Sequence, residues 1–199
     1  MRLYDRLRTY RERIGAPWFT GPHDLNCIIL RGEPGTWGCL AALAYLDLDG
    51  VEQVSCYAAT SYASAAEWPA PTHPDGCLAI LDGHYPGAWA PGEHHGRWAL
   101  RQVAPMRYVR LTGPVPSARD LEVAGQASSF TALRGTHWHD RRDERTPARP
   151  ILDDTEGCVV TMSTGAHRKV RRLVELQVEH VGSGVVSPTF AAMRLVVPT

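Results

Sequence analysis

The apolar residues of this chain fall in short runs, and that restricts its fold more than any other feature. Leu25–Leu30 lies between Pro22 and Gly32. Cys39–Leu48 is followed by Asp49-Gly50 and then by Val51–Tyr57. Cys77–Leu81, Trp98–Val103, Met106–Leu111 and Val159–Met162 are similar runs. Runs of this length bounded by turn residues predict strands. Asp-Gly between two of them predicts a hairpin. Thr131–His139 and Ala191–Val197 are read as further strands, and Asp82–Gly96, rich in Gly, Pro, His and Trp, as turns. Residues 58–76 and 141–150 read as loops, and 113–129 as a mixed connection.

Two segments have helical spacing instead. Leu3, Leu7, Tyr10 and Ile14 make one apolar stripe opposite an arginine-rich face, ended by Gly15 and Pro17. Ser163–His180 has Ser163 or Thr164 as N-cap, an apolar set of Val170, Leu173, Val174, Leu176 and Val178, and Gly182 behind it. Many strands with few helices predict an α+β, mainly β fold. The organisation expected is an N-terminal helical appendage over 1–20 and one domain over 21–199. The appendage packs either on that domain or on a neighbouring molecule.

At 199 residues the chain is long enough to bury a core without metals or disulfides. Its 21 basic and 21 acidic residues cancel, which predicts no nucleic-acid partner. No apolar run approaches a membrane span, so no membrane insertion is expected, and the arginine-rich start is unlike a signal peptide. The five cysteines have no CxxC spacing, which argues against a zinc ribbon. Cys27, Cys56 and Cys77 sit among apolar residues and read as small core side chains. An odd count predicts mostly reduced thiols.

Chemistry is concentrated in two segments, Gly135-Thr136-His137-Trp138-His139-Asp140 and Asp154-Thr155-Glu156-Gly157-Cys158-Val159-Val160. A cysteine after glycine, at a turn into a strand, can present its sulfur with backbone N–H groups nearby. With a histidine as base, that is the equipment of a nucleophilic site. Each residue also has a plainer reading. Glu156 can pair with Arg141 or Arg142, His94-His95 can be an exposed loop pair, and Trp89 and Trp98 can be core or cleft wall. His167–Arg172 reads as a solvated helix face. His137 and His139, two apart on one strand, share a face. With Asp140 or His94 they raise a metal reading that no HExxH or cysteine partner supports, and no cofactor is expected.

Fifteen residues separate His139 from Thr155, and Thr155-Glu156-Gly157-Cys158 follows. This string resembles the signature of the YkuD-type L,D-transpeptidases, a histidine, a spacer of that size, then Ser/Thr-His-Gly-Cys. Two positions depart from it: Glu156 stands where the family has histidine, and Val160 where it has arginine. Weaker likeness runs over roughly residues 25–180, to a branch of the superfamily associated with phage particles. It includes Gly83-His84-Tyr85-Pro86-Gly87 and Glu93-His94-His95-Gly96-Arg97-Trp98-Ala99-Leu100-Arg101-Gln102. There His139 matches the family histidine and His137 an asparagine.

The resemblance implies a YkuD-like β-sandwich with an N-terminal and a C-terminal helix. It implies a cysteine-dependent enzyme on peptidoglycan stem peptides, with Cys158 as nucleophile, His139 as base and Gly157 at the oxyanion hole. His137, Trp138, Thr155 and Glu156 would meet the substrate. Cleavage is expected over cross-linking, in a protein made in the cytoplasm and carried in a virion or tail particle with neighbours there. The alternative is a non-catalytic structural component of such a particle that retains the fold.

Overall fold

A computed structural model describes residues 1–32, 38–61, 76–111, 124–140 and 158–197. The fold is α+β and mainly β. Among the described residues twelve strands carry it: β1 (Asn26–Arg31), β2 (Cys39–Leu46), β3 (Glu52–Thr60), β4 (Leu78–Ile80), β5 (Gly83–His84), β6 (Trp89–His94), β7 (Arg97–Gln102), β8 (Met106–Arg110), β9 (Ser129–Ala132), β10 (Trp138–Asp140), β11 (Val159–Thr161) and β12 (Pro188–Ala192). Nine form one sheet in the order β5-β12-β1-β2-β3-β11-β10-β7-β6, and β4-β8-β9 form a second. A bridge between Trp89 and Val186 draws β6 toward the start of β12, so the large sheet curls back on itself.

Alternation divides the sheet into two faces. Cys27 and Ile29 of β1, Ala41 and Leu43 of β2, and Trp138 and Val159 of β10 and β11 face the main core. The second sheet and Val170, Leu173 and Val174 of the long helix, Thr164–Val181, fill the same core. Ile28, Leu30, Ala42 and Ala44 face the other way and are covered by Tyr4, Leu7 and Tyr10 of the N-terminal helix, Leu3–Arg13. The apolar stripe of that helix is therefore occupied by its own chain, which removes the reason for seating it on a neighbour.

Local signals explain most of these elements. Ser163 caps the long helix by accepting from the Ala166 N–H at 3.1 Å, and Gly182 ends it in the left-handed region at φ 79°. Asp47 shapes the β2–β3 hairpin, accepting from the N–H groups of Asp49 and Val51. Leu46 pairs with Glu52, so the connection is wider than a two-residue Asp-Gly turn.

Three expectations are corrected. The stretch read as turns holds β5 and β6; Pro91 and Gly92 fit because β6 is an edge strand, where a missing N–H costs no ladder bond. The strand expected over Thr131–His139 is two strands in different sheets, β9 and β10, with 133–137 turning between them. The last strand starts earlier than expected, and Met193–Leu195 is a 3-10 turn.

On the long helix, Val178 is exposed and Gln177 is buried in its stead. Gln177 accepts from the Leu25 N–H at 3.0 Å and donates to the carbonyls of Ser183 and Val185 at 2.8 Å. No helix among the described residues is long and apolar enough to cross a membrane.

Candidate functional site

β10 and β11 run parallel, with Trp138 opposite Val159 and His139 opposite Val160. Register partners in a sheet share a face, so Trp138 and Val159 point into the core while His139 and Val160 point away from it. Cys158 immediately precedes β11 and is half-buried. Its Sγ accepts from the His137 backbone N–H at 3.4 Å and lies 3.9 Å from the Gly135 carbonyl oxygen, to which the thiol donates weakly. The His137 carbonyl in turn accepts from the Val159 N–H at 2.9 Å. Parallel pairing thus sets the sulfur against the backbone of the two-histidine segment.

The two imidazoles differ in the proton they carry. His137 is buried, and its Nδ1 accepts from the Gln102 N–H at 3.1 Å. Its neutral form therefore holds the proton on Nε2. Burial, reinforced by Arg101, His139 and His95, pushes its pKa down to about 4, so it is a neutral donor at pH 7. His139 is also buried, and its Nδ1 lies 2.7 Å from the Asp140 carbonyl oxygen. A carbonyl only accepts, so Nδ1 bears the proton and Nε2 keeps a lone pair. His139 is thus the member of the pair equipped to take a proton. From strand spacing and rise, its Cα lies roughly 8 Å from that of Cys158, diagonally across the ladder, a span two side chains can bridge.

Gln102 holds this arrangement in place. Its Oε1 accepts from the N–H groups of Arg134 and Thr136 and from the Tyr108 hydroxyl, at 2.9 to 3.1 Å. Its Nε2 donates to the carbonyls of Ala104 and Ala132 at 2.9 and 3.1 Å. One buried amide therefore ties β7 to the segment that carries His137. Asp140 anchors the other end, bonding Arg97 at 2.6 Å and accepting from the Thr164 hydroxyl at 3.2 Å. The sequence offers no signal for the Gln102 role beyond its place in the pattern of the resemblance.

The residues expected at the site are only partly brought together. The Cys158 sulfur touches the His137 backbone, and His139 lies two positions further along the same face. His94, at the end of β6, joins them, with its ring centroid 4.7 Å from that of His137 and 4.9 Å from that of His139. Its neighbour His95 is exposed in the β6–β7 turn at φ 51°. Trp138, expected to meet substrate, is fully buried and packs on Trp89 with centroids 5.9 Å apart, because alternation sends it to the core face. Thr155, Glu156 and Gly157 lie outside the described residues, as do Arg141 and Arg142. Val160, in the place of the family arginine, is fully buried.

Among the described residues no group of three His, Cys, Asp or Glu is arranged to hold a metal. His137 Nε2 bears its proton, and the Asp140 carboxylate is engaged by Arg97 and Thr164. All five cysteines are free thiols. Cys27, Cys39 and Cys77 are buried; Cys56, expected in the core, is exposed, since β3 turns it to the outer face opposite Ala42. Burial pushes the Cys27 thiol up to about 12.

No protein-family model matches the chain, and no curated protein or solved structure matches it either.

Proposed function

We propose that this protein is a cysteine-dependent acyl-transfer enzyme acting on peptidoglycan stem peptides, with a YkuD-like sandwich as its fold. The observation that carries the reading is the contact of the Cys158 sulfur, just before β11, with the backbone of the segment that leads His137 and His139 into β10, where one imidazole is a donor and the other an acceptor. His139 Nε2 takes the thiol proton. The thiolate attacks a stem-peptide carbonyl, and the amine leaves with the proton returned from His139. Water, activated by the same imidazole, then releases the acid. His137, held neutral, donates from Nε2 toward negative charge on sulfur or on the carbonyl oxygen. Carriage in a virion or tail particle, where cleavage is the useful outcome, completes the proposal.

The burial of Val160 in the place of the family arginine favours a second reading, a structural particle component without activity. Purified peptidoglycan incubated with the protein separates the two. Under the enzyme reading, mass spectrometry finds cleaved or exchanged stem peptides, and Cys158→Ala abolishes them. Intact muropeptides at all protein concentrations would select the structural reading.

A further inference from the structure

A second site lies away from Cys158. Where the carboxyl ends of β1 and β12 meet the N-terminal helix and the second sheet, the chain lines an open cavity of about 410 Å³. That volume is typical of small-molecule pockets. Its floor holds Arg31, 3% exposed, which is paired with Asp82 and bonded to the Ile80 carbonyl. Asp82 also accepts from the Ala192 N–H at 3.1 Å, so the pair is fixed at both ends. Arg31 and Asp82 neutralise each other. Arg107 and Arg194 line the same cavity, are exposed, and form no ion pair among the described residues; Arg107 has only a long 3.4 Å bond to the Ser129 hydroxyl. The cavity therefore carries two uncompensated positive charges.

Tyr10 is the second, independent observation. It lines the cavity, is 6% exposed, and its hydroxyl makes no hydrogen bond among the described residues. Burial holds the phenol protonated, so it is a donor. The ring is held in the protein while the hydroxyl, without a protein partner, is open to a ligand or solvent at the cavity wall. Leu81 adds an apolar patch.

We infer that this cavity binds a small dianion, an organic dicarboxylate or a phosphate group, gripped by Arg107 and Arg194 and hydrogen-bonded by Tyr10. Guanidinium forks match both oxyanion geometries. The inference shares no residue with the Cys158 site and does not rest on the proposed activity.

Calorimetric titration of the full chain with succinate, and separately with inorganic phosphate, tests it and distinguishes the two anions. At low salt at least one of them binds, and added salt weakens the binding. Arg107→Ala and Arg194→Ala, on exposed side chains, each weaken it at least about tenfold, and Tyr10→Phe about fivefold. Binding to neither anion overturns the inference. So does binding that the Arg107→Ala/Arg194→Ala double variant retains at full strength.

Discussion

Acid should weaken the fold through His137, by an amount that can be worked out. In the folded chain its pKa lies near 4, against an ordinary value of 6.5, chiefly because the ring is buried. Between those values the unfolded chain takes up a proton that the folded chain refuses. Stability is therefore fully present above pH 6.5 and is lost as pH falls toward 4. From pH 7 to pH 5 the loss assignable to this one ring is about 2 kcal/mol.

His137→Asn removes the titration while keeping an acceptor for the Gln102 N–H. Urea unfolding of both proteins at pH 7 and pH 5 gives the comparison. Other titrating groups, including half-buried His84, which burial also lowers to about 4, remain in both proteins and cancel in the difference. The wild type should lose about 2 kcal/mol more than the variant over that interval. Equal losses would refute the assignment of a neutral, acceptor-bonded His137, and with it the division of roles between the two imidazoles.

Other outcomes follow from the same geometry. Brief alkylation at neutral pH should label Cys158 ahead of exposed Cys56, whose thiol burial of its sulfur raises, and leave Cys27, Cys39 and Cys77 unlabelled; peptide mapping reads the order. His139→Ala should cost two to four orders of magnitude in stem-peptide turnover with an unchanged melting temperature, whereas His137→Asn should cost less than tenfold. Gln102→Leu strands several buried backbone and hydroxyl donors and should cost about 3 kcal/mol in denaturant unfolding. Leu7→Ala, in the small core under the N-terminal helix, should cost about 2 to 5 kcal/mol if that helix is part of the fold, and nearly nothing if it is a detachable appendage.

The sequence by itself determined the elements whose signals are local. The β2–β3 hairpin, the Ser163 cap and the Gly182 stop were legible because side-chain alternation, capping and left-handed glycine act within a few residues. Residue type and spacing also singled out Cys158 and the His137–His139 pair, whose segments the fold sets side by side.

The tertiary structure alone decided how these pieces meet. Pro91-Gly92 is strand because β6 lies at an edge, and edge position is a property of the sheet. Trp138 faces the core and His139 the opposite side because β10 pairs with β11 and β7 in one register; a slip of one residue would exchange them. Gln102 lies 35 positions from His137, yet it fixes that imidazole's proton. The arginine-lined pocket draws Tyr10, Arg31, Arg107 and Arg194 from four separate elements. Contacts between distant segments are chosen by the packing of the whole core, so no window of sequence carries them.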